Sequence, residues 1–274
     1  MLGSGRLRGG LIETPRIPYP WVREECTLEA ELARGSRGLP VRVVQEHLCL
    51  QGVGVPIDGE FGPATEEAVR AFQRNRRLKP TGRVDANTFG ELTLAIRAAI
   101  SPLPTQTRGG LGAAVRACAA QHLRNFPREV GPEPHMGPWV RLYMHGKEGY
   151  RWSTGFVNFA LSQAAFACGI EIPLHQGITP EAFAHDARGR SLLVTESEAA
   201  NADLRGELFG PGALFVQKDG AGGYGHIGIV MAMERDSFVT IEAAPPDIGG
   251  WEGGALTQRR RAYRGKEFIL LSSE

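Results

Sequence analysis

The chain has 274 residues, a mass of 29.7 kDa and a formal charge of +1 from 31 basic and 30 acidic side chains. That length holds two ordinary domains, a hydrophobic share of 42% excludes wholesale disorder, and the balanced charge excludes a dominant nucleic-acid-binding field. No run approaches the roughly 18 apolar residues of a membrane span, and the N-terminal stretch lacks the apolar core of a signal peptide.

Residues 1–37 are rich in Gly, Pro and Arg without a sustained period and read as an arm, with one short helix near residues 28–33. From Gly38 the pattern tightens: Val41, Val44 and Leu48 recur at helical spacing, and a turn cluster of Gly52, Gly54 and Pro56 follows. Pro63 suits the first turn of a second helix, in which Thr65, Ala68, Val69 and Phe72 share one face. A third helix is expected from Asp85 as cap, carrying Phe89, Leu92 and Ile96 inward. These elements make a three-helix unit over residues 38–99, and residues 100–110 read as a linker.

A second domain is expected over residues 111–274, opening with a helix near 111–126. A proline-rich loop and the short segment 139–143 lead to a helix over 153–168 that is apolar on nearly all sides and therefore buried. Beyond Phe209 the period changes to short strands at 213–217, 226–232, 238–243 and 268–271. Helices followed by an antiparallel meander make the fold class α+β.

The first unit carries Val44-Gln45, Leu48, Gly52, Asp58-Gly59-Glu60-Phe61-Gly62, Thr65, Ala68-Val69, Phe72-Gln73, Gly82 and Thr88. Asp58-Gly59 makes a tight turn, Phe61 plugs the bundle and Gly82 turns into the third helix. This unit resembles the three-helix peptidoglycan-binding domain. The resemblance implies ligand contacts at Asp58, Gly59, Phe61, Gln73 and Arg74. The basic run from Arg74 to Lys79 reads either as a solvated helix end or as a group facing muropeptide carboxylates.

The second domain contains Trp152-Ser153-Thr154-Gly155-Phe156-Val157 at the start of the buried helix, Pro211-Gly212-Ala213-Leu214-Phe215, His226-Ile227-Gly228-Ile229-Val230, and Ile241-Glu242-Ala243-Ala244. In this order the fragments resemble the CHAP class of papain-like amidases and peptidases. The resemblance implies a buried N-terminal helix packed on an antiparallel sheet, a nucleophile at position 153, His226 as general base and then acid, and Glu242 orienting it. A helix N-terminus favours a thiolate there, and its free N–H groups can face an oxyanion.

Position 153 is serine where that family has cysteine. Cys168 lies at the far end of the same helix, roughly 22 Å away at the usual rise, and Cys26, Cys49 and Cys118 are elsewhere. Three readings stay open: a cysteine replaced by serine in this chain, a degenerate domain kept for binding, and a Ser–His–Glu hydrolase. Ala244, where the family often has asparagine, is a second departure. The seven histidines form no metal-binding pattern and the cysteines no CxxC pair, so neither metal nor cofactor is expected. Arg259-Arg260-Arg261 reads as a solvated run, Gly220-Ala221-Gly222-Gly223 as a loop beside the cleft or a hairpin tip, and Trp251 as a groove or anchor residue.

The function expected is that of a peptidoglycan-binding wall hydrolase cleaving an amide in the peptide part, either as N-acetylmuramoyl-L-alanine amidase or as endopeptidase. The alternative is a non-catalytic peptidoglycan-binding protein with a degenerate papain-like domain. The expected route is synthesis in the cytoplasm without a signal peptide, then action in the periplasm or wall after non-classical export, injection or lysis, as a lysin or antibacterial effector. The expected partners are peptidoglycan and, for an effector, an immunity protein or a secretion or injection apparatus.

Overall fold

A computed structural model describes residues 11–103, 110–202, 205–220, 222–244 and 254–271. The chain divides into two compact units, residues 1–102 and 103–274. Parts of the expected linker and of the segment around Trp251 lie outside the described residues.

In the first unit, α1 (Pro20–Glu25) precedes α2 (Leu39–Leu50), α3 (Pro63–Asn75), α4 (Ala86–Leu92) and α5 (Leu94–Ala99). The described part of the expected arm is packed rather than loose. Ile17, Val22 and Cys26 are buried, and Leu32 bridges to Val84. The short helix lies at 20–25 and not at 28–33, because Pro20 pre-sets its first turn. The expected third helix is two, broken at Thr93, whose hydroxyl donates to the Phe89 carbonyl at 3.0 Å. Val41, Val44, Leu48, Phe61, Val69, Phe72, Phe89 and Leu92 form the core.

Two buried glutamines hold the turns of this unit in parallel fashion. Gln45 Oε1 accepts from Gly59 N–H at 2.8 Å, while its Nε2 donates to the Glu60 carbonyl and to Thr65 Oγ1, both at 3.1 Å. Gln73 Oε1 accepts from Gly82 N–H at 2.9 Å, while its Nε2 donates to the Arg83 carbonyl at 2.8 Å and to Thr88 Oγ1 at 3.1 Å. Each turn needs glycine, with φ of +73° at Gly59 and +74° at Gly82.

The second unit runs α6 (Gly110–Leu123), α7 (Pro138–Tyr143), α8 (Ser153–Cys168), α9 (Pro180–Gly189), β1 (Leu193–Val194), α10 (Glu196–Ala199), α11 (Arg205–Leu208), β2 (Leu214–Lys218), β3 (Tyr224–Met233), β4 (Ser237–Ala244), β5 (Ala255–Ala262) and β6 (Lys266–Ile269). The strands form an antiparallel sheet in the order β1-β6-β2-β3-β4-β5. The molecule is therefore α+β. β5 is an addition to the strands read from the sequence: its arginines obscure an alternation in which Leu256 is buried and Thr257, Arg259 and Arg261 share the other face. The apolar helix α8 packs on α6, α7, β3 and β4. Gly155 permits this, since a Cβ there would lie 2.6 Å from the Tyr143 carbonyl oxygen.

Candidate functional site

Ser153 is the first residue of α8, half-buried, with Trp152 as N-cap. The first N–H groups of a helix have no intrahelical acceptor, so this turn presents donors and the positive end of the helix dipole. His226 lies near the start of β3 with its side chain 16% exposed, and Glu242 near the end of β4 is fully buried. His226 Nε2 and Glu242 Oε2 are 2.7 Å apart. The β3–β4 pairing shifts register between Val230 and Ala232, yet the two side chains still meet. Gly228 makes the room: a Cβ there would lie 2.9 Å from the Glu242 Cβ and 2.6 Å from the Phe215 ring.

With an ionised carboxylate as partner, Nε2 carries the ring proton and Nδ1 is left as the basic nitrogen. Burial alone would raise the Glu242 pKa, but hydrogen bonds from His226 and Arg261 outweigh it and hold the carboxyl below its ordinary value. Arg261 donates through Nε to Oε1 and through Nη2 to Oε2, each at 2.9 Å, and Thr240 Oγ1 donates to Oε1 at 3.2 Å. This corrects the solvated reading for Arg261, whereas Arg260 is exposed as that reading expects. Arg261 turns inward because it shares a face of β5 with Thr257, which is opposite Glu242. Among the described residues neither the Ser153 hydroxyl nor His226 Nδ1 has a hydrogen-bond partner.

Behind this turn lies an aromatic cluster centred on His122. Its Nδ1 is 2.9 Å from the Tyr143 hydroxyl and its Nε2 is 2.9 Å from Gln163 Oε1. The Gln163 oxygen accepts only, so Nε2 carries the proton and Nδ1 accepts from Tyr143. Burial pushes the His122 pKa down to about 4, against a smaller opposing effect of Gln163. The Tyr143 ring stacks on Trp152, with centroids 5.3 Å apart and planes 6° apart.

Glu129 is a residue that the sequence reading missed. Its side chain is 6% exposed and receives Trp152 Nε1–H at 2.7 Å, so it sits behind the residue that precedes Ser153. Nothing local in Pro127-Arg128-Glu129 marks it, since the partner is 23 residues away. None of the four cysteines is in a disulfide, and burial pushes the Cys118 thiol up to about 12. Among the described residues no group of three His, Cys, Asp or Glu side chains is placed to hold a metal ion.

The five positions expected to touch the ligand in the first unit separate into two groups. Phe61 and Gln73 are 2% and 1% exposed, so both are framework residues and not ligand contacts. Phe61 fills the core and Gln73 satisfies the buried turn at Gly82. Gly59 is also buried, its backbone carbonyl accepting from Gly38 N–H at 2.8 Å. Asp58 is exposed and caps its own turn, accepting from Glu60 N–H and Gln45 Nε2, and these bonds hold its carboxyl below the ordinary range. Arg74 is exposed and paired with Glu67. The length of α3 between positions 63 and 74 is roughly 16 Å at the usual rise, so Asp58 and Arg74 flank opposite ends of that helix.

Residues 37–92 match the family model of a peptidoglycan binding domain. Among curated proteins nothing matches the chain. The match falls within the first unit and includes both glutamine-held turns. The first unit therefore carries a peptidoglycan-binding domain, which supports a role in binding the cell wall. No helix among the described residues is long and apolar enough to cross a membrane.

Proposed function

We propose that the peptidoglycan-binding unit delivers to the wall a second unit built for acyl transfer from an amide in the peptide part of peptidoglycan, on the pattern of the CHAP class of papain-like enzymes. The observation that carries this reading is the buried His226–Glu242 pair, which leaves Nδ1 basic, on strands that pack against the helix opening at Ser153. The nucleophile at position 153 attacks the carbonyl carbon as its proton passes to His226 Nδ1. The C–N bond then breaks, the amine leaves with that proton, and water releases the acyl group through the same imidazole. Backbone N–H groups at the start of α8 face the oxyanion.

The expected nucleophile is a thiol, since a serine hydroxyl has no appreciable anionic fraction near neutral pH. Ser153→Cys is expected to release new amine groups from purified sacculi with no new reducing sugar ends. Free stem peptides in the digest identify an amidase, and shortened or uncross-linked muropeptides an endopeptidase. Reducing ends without amines overturn the site assignment, because glycosidic cleavage calls for paired carboxylates. The second reading, wall binding without catalysis, is favoured by the serine itself and by the missing hydrogen bond between it and His226. Under that reading Ser153→Cys releases nothing while the protein still sediments with sacculi. If the serine form is active and Ser153→Ala is not, serine is the nucleophile.

A further inference from the structure

Glu129 stands at the junction of the two halves of the proposed site. Its Oε1 accepts from Trp152 Nε1 at 2.7 Å and from His135 Nδ1 at 2.9 Å, and its Oε2 accepts from His135 N–H at 2.9 Å. Burial would raise the pKa of this carboxyl, but these bonds outweigh it and keep it below the ordinary value, so the group is a buried anion. An indole N–H needs only a neutral acceptor, and burying a charge for it alone would be costly. The charge is used on both sides, since His135 is held at φ +62°, a conformation that side-chain-bearing residues rarely adopt.

The backbone around Glu129 is tied to the other half. Glu129 N–H donates to the Gly254 carbonyl at 2.9 Å, Arg128 bridges Ala255, and Leu256 N–H donates to the Pro127 carbonyl at 2.8 Å. Leu256 and Thr257 pair with Ala243 and Glu242. One short segment thus connects the strand beside Glu242 with the ring of Trp152. Trp152 is clamped on its other side by Tyr143 and immediately precedes position 153.

We infer that Glu129 is a positioning residue: it sets the spacing between the start of α8 and the His226–Glu242 pair, and so governs how far the imidazole activates the group at position 153. The inference rests on the proposed function, and its readout needs no substrate. In the full chain carrying Ser153→Cys, the rate of alkylation by iodoacetamide of the peptide that holds position 153, followed by mass spectrometry against pH, reports that thiolate apart from those of the four other cysteines. Glu129→Ala is expected to move the midpoint of that profile upward by about one pH unit, a roughly tenfold slower reaction at any pH well below both midpoints. Glu129→Gln, which keeps an acceptor for the indole, is expected to recover most of the difference.

Val115→Ala, in the buried core of the same unit, supplies a destabilised control that leaves the clamp intact. An unchanged midpoint with Glu129→Ala, or an equal change with Val115→Ala, overturns the positioning role. If Glu129→Ala does not fold, Glu129→Leu, which fills the space but accepts no hydrogen bond, takes its place: a raised midpoint supports the role, and one matching the parent overturns it. The underlying functional reading fails separately, and visibly, if the parent thiol titrates at its ordinary pH and His226→Ala leaves it there.

Discussion

The glycine turns of the first unit and the candidate site of the second are held with different chemistry, although the first unit also buries the pair His47 and Glu25, 3.5 Å apart. In the first, the turns before α3 and α4 are pinned by neutral amides, Gln45 and Gln73, each satisfying a glycine N–H, a carbonyl and a threonine hydroxyl. In the second, the start of α8 and the ends of β3 and β4 are pinned by ionisable groups: Glu129, Glu242 and the neutral imidazole of His122. A neutral amide fixes a shape whatever the pH. A carboxylate or an imidazole also fixes a charge and a proton, which a surface that only binds does not need and a proton-transferring site does.

The largest effect is expected where a neutral pin is removed. Gln45→Ala leaves the Gly59 N–H, the Glu60 carbonyl and the Thr65 hydroxyl without their amide partner, at a cost of about 4 kcal/mol. The loss is expected to be the same at pH 7 and pH 5. Urea unfolding of the full chain, read by pulsed amide exchange and peptide mass spectrometry, separates the first unit from the second. A loss below about 1 kcal/mol would mean that water replaces the amide and that the pin is dispensable.

The second unit is expected to respond to pH through His122. Native His122 takes its proton only near pH 4, whereas in the unfolded chain it takes one near pH 6.5. Between those values the unfolded state binds the extra proton. Stability is therefore fully present above about pH 6.5 and lost as the pH falls toward about 4, by about 3 kcal/mol in all. The same exchange measurement across that interval should show the loss in peptides of α6 and α8. His122→Gln should flatten it. A flat profile in the parent would break the comparison.

The smallest effect sharpens it. Asp85 caps α4 by accepting from Thr88 N–H at 2.7 Å, and hydrogen bonds from the Thr88 side chain and backbone hold its carboxyl below the ordinary value. Asp85→Ala should cost about 1 kcal/mol. Because the folded pKa is depressed, this contribution is present above the ordinary carboxylate pKa and lost only as pH falls through the depressed one. Between pH 5 and 7 it should stay constant, so even the ionised cap of the first unit is silent where the second unit responds. Thermal midpoints of the variant at the two pH values check this.

Much of this architecture was legible because it is encoded locally. The period of Val41, Val44 and Leu48, the Asp85 cap and the all-round apolarity of residues 153–168 each lie within one element. β5 was not legible: three consecutive arginines mimic a solvated run, and only pairing with β4 turns Arg261 toward Glu242. Helix α1 was hidden in a Gly- and Pro-rich stretch whose burial comes from the rest of its unit. His226 and Glu242 were legible as residues, whereas the clearance between them depends on Gly228 lying under the Phe215 ring.

The sequence by itself determined the α+β class, the peptidoglycan-binding unit and the element on which each candidate site residue stands, because apolar periodicity and turn chemistry are properties of neighbours along the chain. Tertiary structure alone decided which polar groups face one another. It turned Gln73 inward, brought Arg261 onto Glu242, and set Glu129 against Trp152. The physical reason is that a buried polar atom must find its partner wherever packing delivers one, and that partner is usually distant in sequence.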